Sequence, residues 1–262
     1  MNITVCIKQV PGTSEVNLDL ETGVLQRDGV ESKMNPFDLY AVETGVRLKE
    51  MHQGTVTALT MGPPQAQQIL QEAFMMGADE AILLSDGRFA GADVLATAYT
   101  LSQGIRQSGN FDLIICGKQT TDGDTAQVGA EIAEFLGLPH VTNVSAIREV
   151  GKSSITVAMD LPSSLEEVEV QFPCLITVEK GIFPPRLPSY LKKKTCRYKV
   201  IRRLSLDDLE DTNPARYGLE GSPTKVERIF PPHSDNHREL WEGTASDLVD
   251  RLWIRLQKER LV

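Results

Sequence analysis

Residues 117–129, GKQTTDGDTAQVG, gather the side chains best placed to hold a ligand. The apolar run DLIIC (112–116) precedes them and the apolar-periodic AEIAEFL follows. A strand, a polar loop and a helix start together grip a phosphate on backbone N–H groups. The hydroxyls of Thr120, Thr121 and Thr125, with Lys118, would strengthen that grip. Two acids, Asp122 and Asp124, oppose an anion. They become useful if the ligand also carries hydroxyls, as a ribose does. Asp122 suits a ribose or loop-shaping contact, and Asp124 falls where the N-cap of a helix over 125–136 is expected. The plainer alternative is that both acids shape a surface turn.

The elements that must position this loop are short apolar strands alternating with helices. ITVCIK (3–8), TVTALTM (55–61), EAILLS (80–85) and DLIIC read as strands buried on both faces of a parallel sheet. Residues 37–50, 64–76, 92–107 and 125–136 carry helical apolar periodicity. This pattern predicts an α/β fold with a doubly wound, mostly parallel, Rossmann-like sheet. After residue 140, SITVAMDL, EEVEVQF and CLITVEK read as antiparallel strands added to one side. Residues 12–33 form an insertion with a small hairpin around Thr22-Gly23. The proline-rich stretch 181–194 excludes regular helix or central strand. Seven Lys/Arg in residues 192–203 suggest a solvated edge strand guarded by lysine, or steering toward an acidic partner. The organisation expected is a nucleotide-binding α/β domain over 1–203, then an arm and helix over 204–262 that dock on a partner subunit. Val249, Leu252, Trp253 and Leu256 give that helix an apolar stripe.

Ligands in such sheets bind beyond the carboxyl ends of the strands, where the strand order reverses. IKQVPG, MGPP, SDGRFAGAD and the 117–129 loop all lie at such ends. MNPFDLYA adds a helix start, with Asn35 at the N-cap and Pro36 at the first helical position. A nucleotide is the economical ligand, its base against Phe37 and Met61 and its phosphates on the N–H groups from Gly117 to Thr125. Neither the dinucleotide glycine fingerprint nor the P-loop pattern is present, and no histidine lies in the rim loops. The polypeptide has no side-chain set for difficult chemistry, so a cofactor would carry it.

A net charge of −9 and a pI near 5.1 argue against nucleic acid as a partner. No apolar run reaches bilayer-spanning length, so no membrane role is expected. Four dispersed cysteines without a C-x-x-C pair argue against a metal site or a disulfide framework, and a cytoplasmic location is expected.

The segments VCIKQVPGT, MNPFDLYAVETGVRLKE, MGPPQA, FMMGADEAILLSD and GKQTTDGDTAQVGAEIAEFLGLP resemble the beta (small) subunit of electron-transfer flavoproteins. The likeness continues through PCLITVEKG…PPRLPSY and GSPTKVERIFPP. It implies a heterodimer with an alpha subunit that carries an electron-shuttling FAD. It also implies ligand contacts from Cys6, Lys8, Asn35, Pro36, Phe37, Asp38 and Met61, and from the loop Gly117, Lys118, Gln119, Thr120, Thr121, Asp122, Gly123, Asp124, Thr125, Ala126, Gln127 and Val128. KQVPGT, GADVLATAYTLSQ and DGDTAQVG look like the flavin-based electron-bifurcating subgroup. There this subunit holds an FAD that takes hydride from NADH, with Asp93 and Thr97 near its ribityl or pyrophosphate portion. Electrons would then divide between ferredoxin and a partner flavin-dependent dehydrogenase, of acyl-CoA/enoyl-CoA-reductase or lactate-dehydrogenase type. The alternatives are a single-electron carrier with structural AMP in this subunit, and a nucleotide-sensing module without redox function. The resemblance makes 181–194 a recognition loop, with Ile182, Phe183, Leu187 and Tyr190 as apolar anchors. No residue is assigned a catalytic role.

Overall fold

The computed structural model describes residues 1–12, 17–18, 25–26, 32–227 and 238–262. The strands are β1 (Asn2–Cys6), β2 (Gln9–Pro11), β3 (Asn17–Leu18), β4 (Leu25–Gln26), β5 (Ser32–Met34), β6 (Thr55–Met61), β7 (Glu80–Leu84), β8 (Leu113–Gly117), β9 (His140–Val150), β10 (Ser154–Asp160), β11 (Leu165–Gln171), β12 (Cys174–Val178) and β13 (Arg202–Leu204). The helices are α1 (Pro36–His52), α2 (Gln67–Met76), α3 (Val94–Gln107), α4 (Val128–Leu136), α5 (Tyr190–Cys196) and α6 (Ala245–Lys258).

Nine strands form one sheet in the order β11-β10-β9-β12-β8-β1-β6-β7-β13. From β9 to β13 every neighbouring pair is parallel, and β10 alone runs against its neighbours β9 and β11. The chain leaves β1 toward β6 and β7 on one side, then returns to β8 on the other. The gap between β1 and β8 is therefore the place where strand order reverses, and a ligand mouth belongs there.

Both faces are covered, as the near-continuous apolar strands require. Ile3 and Val5 of β1 join a core with Val42 and Val46 of α1 and Leu70 and Phe74 of α2. Cys6 points the other way, into a second core with Tyr99 and Ile105 of α3 and Ile132 and Ala133 of α4.

The structure revises several expectations. CLITVEK, expected as an antiparallel addition, instead supplies β12 inside the sheet, parallel to β8 and β9. All five of its residues are buried, which explains its unbroken apolar run. SITVAMDL and EEVEVQF do form the antiparallel meander β10–β11. Residues 190–196 are helical despite the neighbouring prolines, because Ser189 caps the Lys192 N–H and the prolines all precede that cap. Of the basic run only Arg202 and Arg203 enter an edge strand, β13, beside β7. The turn expected at Thr22-Gly23 lies outside the described residues, while the flanking β3 and β4 pair antiparallel.

Two units divide the chain, Met1–Glu227 and Arg228–Val262. In the second, Thr244 caps α6 by accepting the Asp247 N–H, and Arg251 sits 4.8 Å from the Trp241 ring centroid. Among the described residues no helix is long and apolar enough to cross a membrane.

Candidate functional site

The exits of β1 and β8 are joined by one buried carboxylate. Asp38, in the first turn of α1, is 4% exposed. Its Oδ2 accepts the Lys8 backbone N–H at 2.7 Å, and its Oδ1 accepts Asn35 Nδ2 at 2.9 Å. The Gly117 amide also faces it. A side chain at Gly117 would collide with the Phe37 carbonyl carbon at 2.8 Å and the Asp38 nitrogen at 3.0 Å, so only glycine allows this approach. Burial pushes the Asp38 carboxyl up to about 7, against the Asn35 and Lys8 hydrogen bonds that favour its charged form.

Asn35 is fully buried and occupies the position before α1, but its side chain does not cap that helix. It reaches instead across the mouth. Nδ2 also donates to the Gln119 carbonyl at 2.9 Å, and Oδ1 accepts the Thr121 N–H at 3.3 Å. Its backbone N–H donates to the Lys8 carbonyl at 2.9 Å. Pro36 takes the first helical turn as expected.

The two acids of the loop are accounted for. Both Asp122 oxygens lie 2.8 Å from Lys8 Nζ. Burial would raise Asp122, but the Lys8 ammonium outweighs that and holds it below the usual carboxylate range. Asp124 is not the cap of α4, contrary to expectation. Its φ of +52° turns the chain back, its N–H donates to the Thr120 carbonyl at 3.0 Å, and its carboxylate takes the Gln119 side-chain amide. The helix starts only at Val128, with Gln127 at the cap position.

This displacement exposes backbone donors. Ala126 is left-handed (φ +55°) and Gln127 right-handed, the alternation that turns successive N–H groups toward one point. The N–H groups of Thr125, Ala126 and Gln127 find no acceptor among the described residues. Residues 121–127 are all exposed, and a Cβ on Gly123 would meet nothing closer than Thr120 Oγ1 at 3.5 Å. At the opposite exit, the buried Gln9 Nε2 also has no partner among the described residues. Amides without an acceptor among the described residues and threonine hydroxyls, on an exposed loop, are the donor set a nucleotide phosphate and ribose need, so the residues present fit such a group.

The remaining expected residues sit around this centre. Cys6 and Cys116 are buried partners in register on β1 and β8, forming the floor. The hydrogen bond with Cys6, together with burial, raises the Cys116 thiol. Phe37 and Met61 are half-buried, Met61 at the end of β6 beside β1. Lys118 is not free: its Nζ lies 2.6 Å from Glu179 at the exit of β12. Val128 packs on the α3/α4 core. Asp93 caps α3 through the Ala96 N–H at 3.1 Å and accepts the Thr224 N–H and hydroxyl at 3.0 and 2.8 Å. Thr97 lies one turn on, half-buried, its N–H donating to the Asp93 carbonyl. Of the expected docking residues, Leu187 and Tyr190 are exposed, whereas Ile182 packs on the core and Phe183 lies under the Arg47 guanidinium at 4.9 Å.

Sequence reasoning missed Gln9, Glu179 and Glu131. Glu179 follows β12, whose apolar run fits a peripheral antiparallel strand as well as a central one, so sequence alone does not place its exit on the rim. Glu131, in the first turn of α4, has a buried Oε2 without a partner among the described residues, and burial and the Asp93 charge raise its pKa. Its place in an apolar-periodic helix gave no signal.

A family model described as electron transfer flavoprotein domain matches residues 22–209. This chain belongs to the electron transfer flavoprotein family. It is 46% identical to the electron transfer flavoprotein subunit beta of Clostridium acetobutylicum over 262 residues, covering both chains in full. It is 41% identical over 264 residues to the caffeyl-CoA reductase-Etf complex subunit CarD of Acetobacterium woodii, again over the whole of both. It is also 40% identical to protein FixA of Sinorhizobium fredii, over 97% of this chain and 94% of that one. The likeness is to beta-type subunits, and the task of such a subunit is electron transfer.

Proposed function

We propose that this flavoprotein subunit seats an FAD in the mouth between β1 and β8 and serves an NADH-dependent, electron-bifurcating complex. The observation that carries the reading is the set of N–H groups at Thr125, Ala126 and Gln127 without an acceptor among the described residues, on the exposed loop at the reversal of strand order. Those amides and the α4 N-terminus would take the pyrophosphate. Thr120, Thr121 and Thr125 would supply hydroxyl contacts, and the exposed edge of Asp122 would accept from ribose. Phe37 and Met61 would wall the base. The cofactor, when bound, would supply two-electron acceptance from NADH and one-electron release, which no side chain here can provide. The protein's part is to bind, orient and exclude water.

The likeness to CarD supports an assembly with a reductase, reached through an alpha-type partner subunit. Ferredoxin and a flavin-dependent dehydrogenase are the proposed electron acceptors, and a cytoplasmic location follows from those partners. Leu187 and Tyr190 are the residues proposed to meet the dehydrogenase, since their apolar surface is exposed.

Extraction tests the reading. The chain is purified with its partner subunit, the two are separated, and the small molecule each releases on denaturation is identified. FAD from this chain supports the proposal. AMP would reduce it to a single-electron carrier with a structural nucleotide, and release of neither would overturn it.

A further inference from the structure

We infer that Asp38 is a positioning residue of the mouth: its buried carboxylate clamps the diverging exits of β1 and β8 and sets the nucleotide loop without touching the ligand. The inference rests on the proposed nucleotide site and adds to it a part that acts from below. Asp38 is 4% exposed, and its oxygens already hold the Lys8 N–H at 2.7 Å and Asn35 Nδ2 at 2.9 Å. The missing Cβ of Gly117 leaves room for the carboxylate between the strand ends. No ligand atom is needed to explain its placement.

The consequences pass outward through two routes. Lys8, fixed by its own amide, extends its ammonium to Asp122 at 2.8 Å and so braces the loop from the β1 side. Asn35, fixed by Asp38, holds the Gln119 carbonyl and the Thr121 N–H from below. Loss of the carboxylate releases both routes together. The loop then loses the shape that presents Thr125–Gln127.

All of the groups that hydrogen-bond Asp38 are donors, so the clamp favours the carboxylate over the carboxylic acid, whose hydroxyl would face a donor. Burial nonetheless places its pKa at about 7, so it ionises between pH 6 and 8 and the clamp tightens as pH rises. Among the described residues the titratable groups that interact with it are Lys8 from the β1 exit and Cys116 on the floor, in register with Cys6, while Asp122 lies one link further out, on the Lys8 ammonium. The Lys8 ammonium favours the ionised form of Asp38, and the Asp38 charge raises Cys116.

The test compares wild type, Asp38→Asn and Asp38→Ala, each purified with the partner subunit. Backbone hydrogen exchange at Lys8 and Gly117, corrected for intrinsic rates, is followed from pH 6 to 8, and FAD and AMP affinities are titrated over the same range. The expected result in wild type is rising protection of Lys8 and tightening nucleotide affinity. Asp38→Asn flattens both profiles, and Asp38→Ala weakens affinity about 10- to 100-fold, the size expected when hydrogen bonds to a charged group are lost. Unchanged Lys8 protection in both variants would overturn the inference. If wild type binds neither nucleotide, the proposed function fails, while the exchange measurement still decides the clamp.

Discussion

Adding one methyl group at Gly117 is the sharpest mechanical test of the mouth. The new Cβ would lie 2.8 Å from the Phe37 carbonyl carbon and 3.0 Å from the Asp38 nitrogen, both backbone atoms at the start of α1. Backbone cannot swing aside as a flexible side chain can, so α1 must be pushed from the sheet or Gly117 displaced. Such overpacking costs about 1–3 kcal/mol. In a unit of 227 residues, each kcal/mol lowers Tm by about 2–4 °C, giving an expected fall of about 2–12 °C. Gly87→Ala is the control, since a Cβ there meets nothing within 4 Å, and its change should stay within about 0.5 kcal/mol. Calorimetry of the two variants alongside wild type, with the partner subunit present, reads both values. The Gly117 variant should also lose nucleotide affinity, because the displaced atoms hold Asp38. A Gly117→Ala protein that melts within 1 °C of wild type, by the same small-effect criterion, would refute the close approach.

Further outcomes follow from the same geometry. Asp122→Asn should shift stability by no more than about 1 kcal/mol, because the Lys8–Asp122 pair is half-exposed, yet it should weaken nucleotide binding in titration calorimetry. Glu131→Gln should stabilise the protein increasingly as pH rises above the ordinary glutamate range. There the unfolded chain is ionised while the raised native carboxyl still holds its proton, so wild-type stability falls with pH and the variant's does not; urea midpoints at several pH values check this. Arg186→Ala should cost about 1–3 kcal/mol in urea unfolding. It strips the guanidinium hydrogen bonds from the buried Glu43 carboxylate, which keeps Arg47 and the backbone N–H of residue 186, and from Glu50; Arg186→Lys should not restore them all.

How much of this was legible in the chain depends on the kind of signal. The four apolar runs from ITVCIK to DLIIC became β1, β6, β7 and β8, because strands buried on both faces cannot afford polar positions. The rim loops followed from those strands, and so did the grouping of Lys8, Asn35 and the 117–128 segment. The place of β12 was not legible, since an apolar run of five residues fits a central parallel strand as well as an added one. The start of α4 was misjudged because Asp124 has the right residue type for a cap, while its left-handed φ is set by contacts with Thr120 and Gln119. The resemblance puts Asp38 among the ligand contacts, but its burial between two strand ends depends on Gly117, distant in sequence. Glu131 shows the same limit: its orphaned oxygen results from how α4 packs.

The central claim is that the amides of Thr125, Ala126 and Gln127 receive the diphosphate of a flavin nucleotide. Electron density from crystals of the chain with its partner subunit tests it most directly. The account predicts a diphosphate within hydrogen-bond distance of those three nitrogens, with a flavin ring continuing from it. Density for a bound nucleotide elsewhere on the chain, or a mouth closed by its own side chains, would contradict it.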